Sequence, residues 1–151
     1  MPPGPLHCAM RFNFGVRPYK RERSMIYRGS CHCGAVQFEV EAPERIKCGD
    51  CNCSICAKAG YLHLIVPKSR FHLLQGESSL TSYSFNTGVA RHLFCKICGI
   101  KSFYIPRSNP DGYDVNVRCL EPQPKELEIE VFDGKNWELH GHDLAYMSKE
   151  A

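Results

Sequence analysis

Past Tyr27 apolar and polar residues alternate with period two, first where Val36, Phe38 and Val40 interleave with Gln37, Glu39 and Glu41. That period sends successive side chains to opposite faces, so the segment reads as a half-buried strand. Similar runs predict strands at residues 61–66, 80–85, 91–94, 102–105, 114–118 and 127–132. Between them stand turn signals at Gly76, Asn86-Thr87-Gly88 and Asn109-Pro110-Asp111-Gly112. Asp133-Gly134 separates Val131-Phe132 from Trp137-Glu138-Leu139 as a hairpin turn would. Only residues 54–59 suit a helical turn. The expected fold is therefore mainly β, a small antiparallel sheet domain with very little helix.

A chain of 151 residues with 43% hydrophobic residues can bury one core. The pattern divides it into an N-terminal arm at residues 1–26, a domain at 27–140 and a C-terminal tail at 141–151. Ten cysteines imply either a disulfide framework or thiolate metal sites. Residues 1–27 hold no continuous apolar run of the kind an export signal needs, and nothing approaches the roughly 18 apolar residues of a membrane span. The expectation is a reducing, cytosolic or nuclear compartment, with metal sites stapling the sheet. Residues 1–30 carry six Lys/Arg against one acid, leaving 13 basic and 15 acidic side chains in the remainder. The arm is the one segment that suggests a nucleic-acid or cytoskeletal partner, against the plainer reading of a solvated tail.

The chemistry lies in the cysteine spacing. Cys31-His32-Cys33-Gly34 opens the first strand and Cys95-Lys96-Ile97-Cys98-Gly99 precedes a later one. A Cys-x-x-Cys-Gly turn aims both sulfurs at one point, and its glycine allows the positive φ the turn requires. Cys31, Cys33, Cys95 and Cys98 thus read as two halves of one zinc site, doubly negative, coordinatively saturated and structural. A redox disulfide between Cys95 and Cys98 is the competing reading, but no βαβ pattern surrounds the pair.

A second cluster crowds Cys48, Cys51, Cys53 and Cys56 into nine residues. Cys51, Cys53 and Cys56 can converge on a second zinc if residues 53–56 close a helical turn. With water or a substrate thiol in the fourth position, the site has the architecture of catalytic zinc and would lower the pKa of a bound thiol. With Cys48 in that position it becomes another closed structural site.

Three motifs in order, 29–36 (GSCHCGAV), 51–56 (CNCSIC) and 94–99 (FCKICG), resemble the glutathione-dependent formaldehyde-activating enzyme family. Within that family the chain is most similar to centromere protein V, through 65–67 (IVP), 69–71 (SRF), 83–87 (YSFNT) and 102–110 (SFYIPRSNP). The resemblance implies a largely antiparallel β fold with a structural zinc on Cys31, Cys33, Cys95 and Cys98 and a second zinc on Cys51, Cys53 and Cys56. It further implies glutathione as co-substrate and formaldehyde as substrate. The activity would be that of a carbon–sulfur lyase interconverting S-hydroxymethylglutathione with its two components. The alternative it carries is a noncatalytic zinc module that associates with protein or chromatin. Cys48 is an extra sulfur beside the family ligands.

His63 falls on the strand face opposite Leu62 and Leu64, where it either supports the second zinc site or is an ordinary satisfied histidine. His32 is expected to point away from the metal between its two ligands. His7, His72, His92, His140 and His142 have no ligand-like spacing. Lys58 and Arg107 could meet the carboxylates of glutathione, yet basic side chains are usually just solvated. Cys8 reads as a free thiol and Cys119 as a small buried hydrophobe.

Overall fold

The computed structural model describes residues 22–150. The elements run β1 (Ser24–Ser30), β2 (Gln37–Pro43), β3 (Arg45–Cys51), α1 (Ser54–Ala59), β4 (Leu62–Pro67), β5 (Phe71–Gln75), β6 (Leu80–Tyr83), β7 (His92–Cys95), β8 (Phe103–Tyr104), β9 (Gly112–Asn116), β10 (Leu120–Glu121), β11 (Glu126–Phe132) and α2 (Trp137–His140). They form a four-stranded sheet in the order β10-β1-β2-β5, a five-stranded sheet β11-β3-β4-β9-β8 and a β6-β7 ribbon. The mainly β expectation holds, with two short α-helices.

The sheets are not wholly antiparallel. β11 runs parallel to β3, pairing Glu126 with Arg45 and Phe132 with Cys51. The long excursion from β3 to β11 supplies the crossover that a parallel pair requires. Asp133-Gly134 makes no hairpin either: Gly134–Asn136 is a 3₁₀ turn leading into α2. The Asn52 side chain takes over this turn, accepting the Lys135 N–H at 2.9 Å and donating to Asp133 at 3.2 Å. β11 therefore folds back onto the loop after β3 instead of turning into a partner strand.

The strand at residues 36–41 appears as β2, whose Phe38, Val40 and Ala42 are buried. Phe38 stacks on Phe71 at 5.3 Å and meets Phe103 edge-on at 5.5 Å, joining the two large sheets. Across the β1–β2 ladder Phe38 faces Gly29, where any side chain would run into the ring. Each such buried side chain contributes about 1.5–3 kcal/mol. Four strands lie outside the expected runs, namely β1, β3, β5 and the two-residue β10. β1 begins at Ser24, ahead of the expected boundary, and most of the basic arm, with Cys8 and His7, lies outside the described residues. Gly141–Ser148, expected as tail, winds as a 3₁₀ helix, with Ser148 buried and the Asn109 amide donating to its hydroxyl at 2.8 Å.

Candidate metal centres

The loop between β1 and β2 meets the end of β7 at the first cluster. The sulfurs of Cys31, Cys33, Cys95 and Cys98 all lie within 4.8 Å of one another, with Cys31–Cys33 at 3.6 Å and Cys33–Cys95 at 3.7 Å. Gly34 and Gly99 close the two turns at φ 79° and 78°, the left-handed region the spacing calls for. The Val36 N–H reaches the Cys31 sulfur at 3.3 Å. The Cys98 backbone N–H holds the Cys95 thiol below its ordinary value, against the effect of burial. Backbone donors on sulfur favour thiolates, and four convergent thiolates suit a tetrahedral metal. His32 is exposed, as expected of a residue between two inward ligands.

The second cluster forms where β3 runs into α1. Cys51 ends the strand, Cys53 caps the helix by accepting the Cys56 N–H at 3.4 Å, and Cys56 is the buried residue of the helix. The Cys53 thiol is held well below its ordinary value, first by hydrogen bonds from Cys51 and Cys56 and then by the backbone N–H groups of Cys56 and Ile55. The same network, with burial, pushes the Cys56 thiol up, because Cys56 acts as donor in it. Gly134 lies against this loop so closely that a Cβ there would collide with the Cys51 sulfur. Cys48 belongs to neither sulfur group. It is buried in the hydrophobic core beside Ile46 and Leu62, and burial raises its pKa.

His63 is the residue that spacing alone could not place. A nitrogen of its ring and the sulfurs of Cys51 and Cys56 lie within 4.8 Å of one another, a set in which His63 stands where Cys53 was expected; Cys53 instead accepts the Cys56 N–H beside it. In the β4–β9 register His63 pairs with Asn116, so Asp114 is its diagonal neighbour on the same face. The His63 Nδ1 and an Asp114 carboxylate oxygen are 2.7 Å apart, with Asp114 only 1% exposed. The other ring nitrogen, Nε2, is buried without a hydrogen-bond partner among the described residues.

Around this wall stand Tyr61, Tyr104, His92 and Lys101. The Tyr61 hydroxyl donates to the Asp114 carbonyl at 2.7 Å, and His92 stacks on Tyr104 at 5.0 Å. The Lys101 ammonium sits 3.7 Å from the centre of the Tyr104 ring. Burial lowers the Lys101 pKa, opposed by the charges of Cys56, Asp114 and Cys53. Among the remaining candidates, Lys58 is exposed, Arg107 stacks on Trp137 at 4.0 Å, and burial raises the Cys119 thiol to about 11. Asp114 and Lys101 went unnoticed in the sequence, since a lone acid in a strand and a lysine beside a glycine turn carry no signal of their own.

An open cleft of about 1350 Å³ borders Cys51, Cys53, Cys56, His63, Asp114, His92, Tyr104 and Arg107, and none of the four first-cluster cysteines lines it. The profile of the glutathione-dependent formaldehyde-activating enzymes matches residues 26–134. The chain belongs to this family. A protein of Halomonas elongata named for the same enzyme family is 53% identical over 34 residues, a stretch covering 22% of each chain. The crystal structure of a Rhodobacter sphaeroides protein is 38% identical with a TM-score of 0.61, covering 68% of this chain and 99% of that one. The match to the curated relative spans about a fifth of that protein's length, and both cysteine clusters have donors that could hold a metal ion. No helix among the described residues is long and apolar enough to cross a membrane.

Proposed function

We propose that the chain is a zinc-dependent carbon–sulfur lyase that, run in the synthetic direction, joins glutathione to formaldehyde as S-hydroxymethylglutathione. Cys51, Cys53 and Cys56 hold the catalytic zinc, and Cys31, Cys33, Cys95 and Cys98 hold a structural one. The observation that supports this division is that the second cluster borders the cleft while the first does not. A crowded thiol set with an orphaned buried imidazole nitrogen beside it fits a borderline-soft cation.

The thiol sulfur bonds to the aldehyde carbon, the C=O π pair moves to oxygen, and the thiol proton ends on that oxygen. No oxidant or reductant is needed. A zinc ion at the three sulfurs would supply the positive charge that lowers the pKa of an incoming thiol. The chain contributes the rest. Tyr104 and His92 form a stacked aromatic wall of the cleft, backed by Tyr61, and the Lys101 ammonium lies over the Tyr104 ring as a positive charge behind that wall.

The test is exchange spectroscopy of ¹³C-formaldehyde with glutathione and zinc-loaded protein, since the adduct also forms without a catalyst. Exchange faster than in buffer, and lost in Cys53→Ser, is the expected result. Exchange no faster than in buffer would replace the lyase by a noncatalytic zinc module.

A further inference from the structure

We propose that His63 is the fourth protein ligand of the second metal, binding through Nε2 and held in place by Asp114. The inference rests on the reading of Cys51, Cys53 and Cys56 as metal ligands.

Three observations carry it. The His63 ring and two of the sulfurs are mutually within ligand-set distance. Nδ1 is committed to the Asp114 carboxylate at 2.7 Å, and a carboxylate can only accept, so Nδ1 carries the hydrogen. Nε2 is thereby left with a free lone pair, and it is the nitrogen that is buried with no partner among the described residues. An acceptor buried without a donor is unfavourable, a penalty a metal ion removes. A histidine that donates one N–H to a carboxylate while the other nitrogen takes a metal is a common arrangement, in which the carboxylate fixes the tautomer and raises ligand basicity.

Asp114 is then a positioning residue. It is held in turn by the sheet: its backbone carbonyl accepts from Tyr61 and its strand is flanked by β4 and β8. The ring therefore sits on a rigid face of the five-stranded sheet, whereas all three sulfurs belong to the local β3–α1 segment. Three sulfurs and the His63 nitrogen would together supply four donors to a metal. Of these the neutral imidazole would be the one an incoming thiol replaces, because it alone brings no charge.

The experiment uses the full chain loaded with ¹¹³Cd and labelled with ¹⁵N-histidine. One imidazole Nε2 should show scalar coupling to cadmium, and the coupled ring should carry its hydrogen on Nδ1. The signal should vanish in His63→Gln, and Asp114→Asn should shift it and weaken chelator-resistant metal binding about 10–100-fold. Should either variant fail to fold, the wild-type spectrum with sequential assignment decides alone. Absence of any cadmium–nitrogen coupling overturns the proposal even where adduct formation is accelerated, and coupling without acceleration leaves it standing while removing the lyase. Saturating glutathione should abolish the coupling; its survival alongside accelerated turnover overturns the replacement of the imidazole.

Discussion

The Lys101 ammonium donates to Nδ1 of His92 across 2.7 Å, a bond that only a neutral imidazole can accept. Burial first, and the Lys101 charge second, lower the His92 pKa to about 4. The folded value lies below the unfolded one of about 6.5, so unfolding takes up a proton between these two pH values. The stability contributed by the neutral ring is fully present above pH ~6.5 and is lost as pH falls toward 4.

Urea unfolding of the wild type and of His92→Gln across that window measures this directly. The wild type should lose stability more steeply on acidification, by at most about 1.4 kcal/mol per pH unit. Acid effects on the metal sites are common to both proteins and cancel in the difference. Parallel slopes would show that His92 does not titrate as described.

Cys95→Ser should release one metal and unfold the domain or leave it molten. Its sulfur lies 3.7 Å from that of Cys33 and joins the β6-β7 ribbon to the four-stranded sheet. Structural zinc binding of roughly 10–16 kcal/mol exceeds the stability of most domains of this size. Elemental analysis with a thermal melt checks it; a cooperative melt with two metals retained is the contrary result.

Cys48→Ala should leave metal content unchanged and lower stability by on the order of 1 kcal/mol, as for a modest core truncation. The residue packs in the core and outside both sulfur groups. Loss of a metal from this variant would place Cys48 among the ligands.

Gly134→Ala puts a methyl group onto the Cys51 sulfur. The second metal should be bound at least about tenfold more weakly, while the first remains and the sheet core still melts cooperatively. Chelator competition monitored by a zinc dye gives the affinity.

How much of this was legible in the sequence depended on whether a signal was local. Cys31-His32-Cys33-Gly34 and Cys95-Lys96-Ile97-Cys98-Gly99 each state a turn geometry in five residues or fewer, and their pairing followed. That Cys53 and Cys56 would be neighbours was likewise readable, because the helical turn between them is short. β3 was hidden inside the same cluster: its alternation of Ile46 and Cys48 breaks at Gly49, and its cysteines drew the eye as ligands. The contact of His63 with Asp114 spans 51 residues and exists only once β4 and β9 adopt a particular register, which no local pattern encodes. The Asp133-Gly134 turn failed for a related reason, since Asn52, 81 residues away, decides its course.

The parallel pairing of β11 with β3 ties the late part of the chain to the strand that delivers Cys51. β11 is the rim of its sheet and has no other neighbour among the described residues, so its order is borrowed from β3. Stripping a metal held at the second cluster should free the end of β3 and hence the Phe132 carbonyl that accepts the Asn52 N–H at 3.2 Å. Deuterium uptake at the β11 amides is thus a remote gauge of metal occupancy, readable by mass spectrometry without touching the cleft.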